Sequence, residues 1–555
     1  MASVVVTPDT ATVLARSMLQ LQATLLDSAG RSLTGRGVHW TSSDPFVATV
    51  SSTGLVTGVG HGPAIITATA EQSSGAARLT VFAPVASVTV DQGDQTIVVG
   101  GAVQLSATPR DWRGVALAAR VVAWSSSDPG TVSVTPAGVV TGHAPGSGVL
   151  TATSEGQTGS ATIAVAILEL SELAPGLSTH TCGVTPGGAT FCWGSDAYGQ
   201  LGNGAAGDDA TAVRTRGDHR FVTVSGGGRF TCGLVAGGAA YCWGSGARGR
   251  LGNGSVAGSP TPVAVAGGLS FRTLSAGFSH ACALTDEGAA YCWGDNGTGQ
   301  LGTETVKLGL TPIRVAGDVS FAAITVGDGF TCALAAQGTA YCWGNNQTGQ
   351  LGSGGSLLSA RPLLVQGARP FSELKSGARH SCGVTAGGAA YCWGDNRSGE
   401  LGDGSTRPSS TPVPVAGGLA FSTISAGSDF TCGVTTDGRA YCWGEDNGGR
   451  LGTPAALESC DGRPCSTVPL AVSGELRFAS VAAGDTHSCG LATAGIAYCW
   501  GQNSNGQLGD GTTTDRPAPV RVLGQPYTGA MAPPRPPRTP SATGPPRDCV
   551  PRCPP

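Results

Sequence analysis

The sequence predicts an all-β protein in which two small β-sandwiches precede a seven-bladed β-propeller. Three observations predict it. The chain is rich in turn formers, with 89 glycines and 34 prolines among 555 residues, and shows little helix-type apolar periodicity. A first repeat, with an offset of 84 residues, turns Trp40-Thr41-Ser42-Ser43-Asp44-Pro45 into Trp124-Ser125-Ser126-Ser127-Asp128-Pro129. A second repeat of about 50 residues then runs seven times, each time carrying a cysteine pair, Trp-Gly and Gly-x-Leu-Gly.

The same offset of 84 relates Gly54-Leu55-Val56-Thr57-Gly58 to Gly138-Val139-Val140-Thr141-Gly142, and Thr67-Ala68-Thr69 to Thr151-Ala152-Thr153. Short strand-like runs, in the first unit Leu19–Ala23, Ala64–Thr69 and Ala77–Val81, alternate with Gly, Pro and Asp turns. A unit of that length and pattern fits one small sandwich. The colinear set of marks, present twice, resembles the bacterial immunoglobulin-like group 2 family. The resemblance implies immunoglobulin-like β-sandwiches at residues 1–83 and 84–166.

From residue 167 the cysteines set the period. Cys182 is followed by Cys192, Cys232 by Cys242, Cys282 by Cys292, and Cys332 by Cys342. The series continues with Cys382 and Cys392, Cys432 and Cys442, and Cys489 and Cys499. The first six pairs step by 50 residues and the last by 57, lengthened by an insertion that carries Cys460 and Cys465. Such a repeat means a closed ring of four-stranded blades or a solenoid, and closure removes exposed sheet edges. The stretch His280-Ala281-Cys282-Ala283-Leu284 … Gly288 … Tyr291-Cys292-Trp293-Gly294-Asp295-Asn296 … Gly299-Gln300-Leu301-Gly302 resembles the regulator of chromosome condensation repeat family, and every one of the seven repeats shares it. The resemblance implies a seven-bladed propeller over 167–525. The remaining 526–555, with Ala532-Pro533-Pro534-Arg535-Pro536-Pro537-Arg538, is expected to be a proline-rich disordered tail.

The cysteine spacing has a physical reading. Thr285-Asp286-Glu287-Gly288-Ala289 reads as a three-residue hairpin loop with Gly288 in the left-handed position. Counting outward from Thr285 and Ala289 sets Leu284 opposite Ala290, Ala283 opposite Tyr291, and Cys282 opposite Cys292. That pair is non-hydrogen-bonded, with Cα atoms about 4.5 Å apart, within reach of a disulfide. Structural disulfides are favoured over reduced apolar cysteines and over metal binding, since two cysteines at this spacing make half a zinc site. Cys460 and Cys465 bracket Asp461-Gly462-Arg463-Pro464 and are expected to staple a stiff protruding loop. Cys549 and Cys553, in the tail, pair with each other or with another chain. Disulfides on this scale imply an oxidising compartment, hence a secreted or cell-surface protein. Met1-Ala2-Ser3-Val4-Val5-Val6 shows no export signal, so a trimmed or mis-assigned start is expected.

Charged residues are 12% of the chain with a formal net charge of −4, which excludes the basic stripe of a nucleic-acid binder. No apolar run approaches the ~20 residues of a membrane-spanning helix. No catalytic, cofactor-binding or metal-binding constellation is expected. His180, His280, His380 and His487 alternate with Phe230, Phe330 and Phe430 two residues before the first cysteine, a pattern read as packing or hydrogen bonding rather than ligation. Loops such as Asp295-Asn296-Gly297-Thr298-Gly299 and Asp395-Asn396-Arg397-Ser398-Gly399 lack the ligand ladder of a calcium loop and read as Asx turns. The tryptophan of each repeat reads as blade packing.

The expected function is that of a non-enzymatic binding, adhesion or scaffold protein. The propeller is its recognition head on immunoglobulin-like spacers, and its partner is a protein or glycan. Two alternatives stand: a guanine-nucleotide exchange factor-like regulator of a small GTPase, as the repeat family's name-giving member is, and a secreted proteinaceous inhibitor of an enzyme such as a β-lactamase. A monomer is expected. The candidate binding loops lie between Trp-Gly and Gly-x-Leu-Gly and in the insertion, with Tyr198, Arg248, Arg397, Asn447 and Arg463 as the residues that vary on a fixed frame.

Overall fold

The computed structural model describes residues 2–367, 369–454, 458–493 and 495–525, so the tail and the pairing of Cys549 and Cys553 lie outside the described residues. The first sandwich is organised by a long hairpin, Gly62–Ala70 with Ser73–Phe82. Thr10–Leu14 runs parallel on one side of it and His39–Ser42 antiparallel on the other. Alternation in the hairpin sends Ala64, Ile66 and Ala68 inward and Ile65 outward. They pack against Val4 and Val6 of Ser3–Thr7, Leu25 of Gln22–Leu26, and Trp40. Gly54 recurs with this tryptophan for a steric reason: its φ is +80°, and a Cβ there would sit 2.8 Å from the Trp40 ring. The run Leu19–Ala23 is not one strand. Leu21 turns inward at a sheet change, with its N–H on the Gly54 carbonyl, so Met18–Gln20 and Gln22–Leu26 join different sheets.

The second sandwich repeats this plan with Gly146–Ser154, Gln157–Ala166, Gln95–Val98 and Ala123–Ser126. Apolar side chains continue through both joints. Ala83, Val85, Val88, Leu117 and Ala152 form one buried cluster between the sandwiches. Beside it the Arg120 guanidinium lies 3.2 Å from the Glu155 carboxylate and 4.2 Å from the Phe82 ring centroid. At the next joint Val98 is buried with Leu168, Leu170, Phe191, Trp193 and Val522, and the Leu168 N–H donates to the Gly524 carbonyl at 2.7 Å. Surface hidden at both joints resists bending, so the sandwiches and the ring form one compact unit.

Every blade but the sixth takes four consecutive strands; in blade three these are Thr273–Ala276, His280–Leu284, Ala290–Asp295 and Leu308–Arg314. The hairpin register sets Cys282 opposite Cys292 and Leu284 opposite Ala290, with Gly288 at φ +81°. One disulfide crosses the second and third strands of every blade. Cys182 is bonded to Cys192, Cys232 to Cys242, Cys282 to Cys292, and Cys332 to Cys342. Cys382 is bonded to Cys392, Cys432 to Cys442, and Cys489 to Cys499. Their Cα atoms are 4.0 to 4.1 Å apart, closer than the about 4.5 Å of a non-hydrogen-bonded pair counted from strand geometry alone. All fourteen of these cysteines are fully buried, so the bonds are part of the blade interior and offer no surface for recognition.

Blades are locked to one another by the tryptophans. Trp293 Nε1 donates to the Arg250 carbonyl at 3.1 Å, that is, to the x of Gly-x-Leu-Gly in the preceding blade, and Trp343 does the same to Gln300 at 3.0 Å. Gly252 follows from this contact, because a Cβ there would lie 2.7 Å from the Trp293 ring. The ring closes through the same device without exchanging a strand: Trp193 of blade one donates to the Gln507 carbonyl of blade seven at 2.9 Å. Every blade tryptophan is fully buried, which rules out a sugar-stacking role for them.

Candidate functional site

Up-and-down strand order puts the connection from first to second strand and that from third to fourth at one end of each blade. This end is the mouth; the disulfide-stapled hairpin loops lie at the other. The mouth loops are built by side chains bonding to their own backbone. Asp196, Asn296, Asn346, Asn396, Asp446 and Asn503 each accept the N–H of the leucine five residues on, at 2.8 to 3.0 Å. The slot before that leucine holds Gln200, Gln300, Gln350 and Gln507, whose side-chain oxygens accept the N–H two residues back at 2.8 to 2.9 Å. Glu400 accepts in the same way from Ser398, while Arg250 and Arg450 occupy the slot in blades two and six. These oxygens are therefore used up in loop building, and among the described residues no group of three or more metal-ligating side chains is assembled.

The buried histidines stitch blades together. His280 Nε2 lies 2.9 Å from the Thr331 hydroxyl, which gives its own proton to the Gln300 carbonyl at 2.9 Å. The imidazole must therefore donate through Nε2 and stay neutral. His180 to Thr231, His380 to Thr431 and His487 to Thr181 repeat the bond, the last across the ring closure. Where phenylalanine replaces histidine, the facing residue is Ala281, Ser381 or Ser488 instead of threonine. Burial pushes His280 down to about 3. A depressed histidine leaves stability intact above its unfolded pKa of about 6.5 and erodes it as pH falls towards the folded value. His280→Phe is expected to remove about 1.4 kcal/mol per pH unit of that erosion. Urea denaturation of wild type and variant between pH 7 and 4 measures it; a pH-independent difference would contradict the assignment.

The five sequence-predicted binding residues all lie at the mouth, in two groups. Tyr198, 47% exposed, receives a hydrogen bond from Arg229 at 3.0 Å, and the same guanidinium lies 4.9 Å from its ring centroid. Arg248, in a left-handed conformation at φ +61°, reaches Asp295 at 2.8 Å. Across the mouth, Arg397 pairs with Asp395, which also has Arg379 at 3.9 Å. The Asn447 carbonyl accepts from Arg450 Nε at 3.2 Å, and Arg463 reaches Glu445 at 3.4 Å.

The insertion forms a disulfide-bonded hairpin with an exposed turn. Glu458–Cys460 pairs with Arg463–Ala471 as a fifth strand on the outer edge of blade six, turning through Asp461 and Gly462 at φ +48° and +79°. The pairing is confined to Arg463, Pro464 and Cys465, the start of Arg463–Ala471, so the hairpin turn stands beyond Glu445, where the pairing with the third strand ends. Cys460 and Cys465 are bonded and buried there.

Arg229, Phe278, Arg379, Asp429 and Asp485 also line the mouth and were not among the expected residues. They sit on the short connections from first to second strand. The sequence signals for them are two variable positions: the one before the His/Phe column holds Thr179, Arg229, Ser279, Gly329, Arg379, Asp429 and Thr486, and the one before that holds Ser178, Gly228, Phe278, Asp328, Ala378, Ser428 and Asp485.

The comparisons agree with this geometry. The RCC1-like domain model matches residues 191–532, and the bacterial Ig-like domain (group 2) model matches 1–81 and 84–165. The structure of yeast RCC1 (Prp20) is similar with a TM-score of 0.54 at 23% identity, covering 64% of this chain and 85% of that one. Human WBSCR16 is similar with a TM-score of 0.53 at 21% identity, covering 60% and 94%. Ice-binding protein 1 of Shewanella frigidimarina is 35% identical over 169 residues, 30% of this chain, which spans 19% of that relative's length.

Proposed function

Because this chain belongs to the RCC1-like domain family, and is matched by that family's model over residues 191–532, we propose that it is an exported, non-enzymatic binding protein whose propeller mouth is the recognition surface. The observation that carries the reading is the distribution of variation. Cysteines, tryptophans, threonine-bonded histidines and Asx turns repeat from blade to blade, while the mouth loops differ in charged and aromatic residues, among them Tyr198, Arg229, Arg248, Phe278 and Arg397. Eight disulfides among the described residues fit an oxidising compartment. The ice-binding relative supports a binding or adhesion role; its ligand is its own. The likeness to yeast RCC1, at 23% identity, concerns the fold, and no residue of an exchange activity is carried over. The packed joints suit a stalk that holds the ring at a fixed distance from whatever anchors it.

The test compares the two ends of the ring in the full, oxidised chain. Arg248→Ser, Arg397→Ser and Arg463→Ser combined are expected to lower the retention of bacterial surface material on the immobilised protein by about tenfold. Glu287→Gln with Asp437→Asn, on the opposite hairpin loops, should leave retention unchanged. Retention that is indifferent to the mouth, or lost equally from both ends, would overturn the reading.

A further inference from the structure

Two blades fill the Gly-x-Leu-Gly slot with arginine, and the surroundings of these two arginines differ position by position. Arg450 Nε donates to the Asn447 carbonyl at 3.2 Å and Nη1 to the Asp485 carbonyl at 3.3 Å, with the guanidinium 5.5 Å from the Phe430 ring centroid. Arg250 does the same on its own blade: Nε to the Ala247 carbonyl at 2.8 Å, Nη1 to the Phe278 carbonyl at 3.4 Å, and 5.7 Å from the Phe230 ring centroid. The charges of Asp429 and Asp446 act on Arg450, and Asp485 accepts from it; the repeat positions matching Asp429, Asp446 and Asp485 in blades two and three hold Arg229, Gly246 and Phe278. The same buried guanidinium thus has carboxylates for neighbours in blade six and, in blade two, Arg229 and Arg248. Among the described residues Arg250 has no carboxylate partner, its Nη2 makes no hydrogen bond, and it is only 7% exposed. A buried cation without a counter-charge is costly, and two further guanidiniums beside it add to the cost. Burial pushes its pKa down, Arg229 and Arg248 push it further, and Asp295, already held by Arg248, offsets them only in part.

We propose that the mouth over blades one to three is a carboxylate-binding site, completed when an acidic segment of a partner protein places a side-chain carboxylate against Arg250 and Arg229. The proposal rests on the recognition reading above and names the partner's chemistry. Tyr198 and Phe278, 47% and 41% exposed, flank the guanidiniums and supply the aromatic contacts that anchor protein interfaces. A protein is favoured over an acidic saccharide because Arg229 already covers one face of Tyr198, leaving less of the ring for a sugar to stack on.

The experiment is a calorimetric titration of the full, oxidised chain with hexaglutamate peptide and, separately, with oligogalacturonate, which carries the same carboxylates on a sugar. Hexaglutamate is expected to bind with a Kd on the order of 0.1–1 mM at low salt. Arg250→Gln, the amide that blades one, three, four and seven use, should weaken it about tenfold or more. Arg229→Asp installs the carboxylate that blade six already has, so it should abolish peptide binding and raise Tm. No saturable peptide binding, no effect of Arg250→Gln, or an Arg229→Asp variant with lowered Tm and intact binding would overturn the site. Tighter binding of oligogalacturonate than of peptide would overturn the protein partner. A flat titration alongside mouth-dependent retention removes only the acidic-segment assignment; retention indifferent to the mouth removes the recognition reading itself.

Discussion

Reduction is expected to unfold the propeller outright rather than loosen it blade by blade. Each hairpin disulfide closes a loop of 11 residues, from Cys282 to Cys292 in blade three, and in the loop-entropy model contributes about 3 kcal/mol. Seven such bonds sum to on the order of 20 kcal/mol, more than the roughly 5–15 kcal/mol net stability of a folded domain. The same cysteines are fully buried, so a thiol reagent reaches them only when a blade opens. Two outcomes follow. In native buffer, dithiothreitol should act slowly and leave a mixture of fully oxidised and fully reduced chains. With sub-denaturing urea the reaction should accelerate steeply and the near-ultraviolet circular dichroism should collapse with it. Intact mass after alkylation, sampled through the reaction, reads both. A long-lived, partly reduced species with native dichroism would show that the bonds are dispensable ornaments on a ring held by its tryptophans. Free thiols in freshly exported protein would remove the argument for an oxidising compartment.

The parts of this molecule that were legible in the sequence are those governed by local periodicity. The hairpin register follows from a three-residue turn and a side-chain period of two, so Cys282 and Cys292 face each other by counting alone. The sandwich repeat shows for the same reason, through Trp40 and the Gly54 that must make room for it. What was hidden depends on neighbours far apart in the chain. Ring closure rests on Trp193 reaching Gln507 and Thr181 reaching His487, contacts no local pattern marks. The insertion folds back as a hairpin on the start of blade six's fourth strand, and Leu21 breaks a strand because the Gly54 carbonyl is there to receive its N–H. The candidate mouth residues Tyr198, Arg248, Arg397, Asn447 and Arg463 stood out because they vary on long loops. Arg229, Arg250 and Phe278 were missed because each falls in a short connection or a framework slot, and their meaning appears only when blade two is set against blade six.

The same slot that holds Arg250 carries a stabilising substitution in blade five. Glu400, 1% exposed, sits where four other blades have glutamine, and its Oε2 accepts the Ser398 N–H at 2.8 Å as those amides accept theirs. Burial pushes its carboxyl up to about 8, with the charges of Asp395 and Asp429 adding to the effect. Because the folded value lies above the unfolded one, the folded chain holds the extra proton. Stability is complete below about pH 4.5 and declines as pH rises towards the folded value. At about 1.4 kcal/mol per pH unit, the wild-type chain should have lost on the order of 3 kcal/mol by pH 7. Glu400→Gln keeps the acceptor oxygen and has no proton to lose. The variant should therefore match the wild type near pH 4.5 and exceed it by about 3 kcal/mol at pH 7, read from urea midpoints across that range. A gap that does not change with pH would mean that the carboxylate is charged and solvated in the fold. A variant weaker than wild type at pH 7 would mean that Glu400 is held by a cation at the mouth. The expected result instead places an acid that is mostly neutral at pH 7 beneath Asp395 and Arg397, so at that pH the charge offered at that side of the mouth comes from the exposed loops.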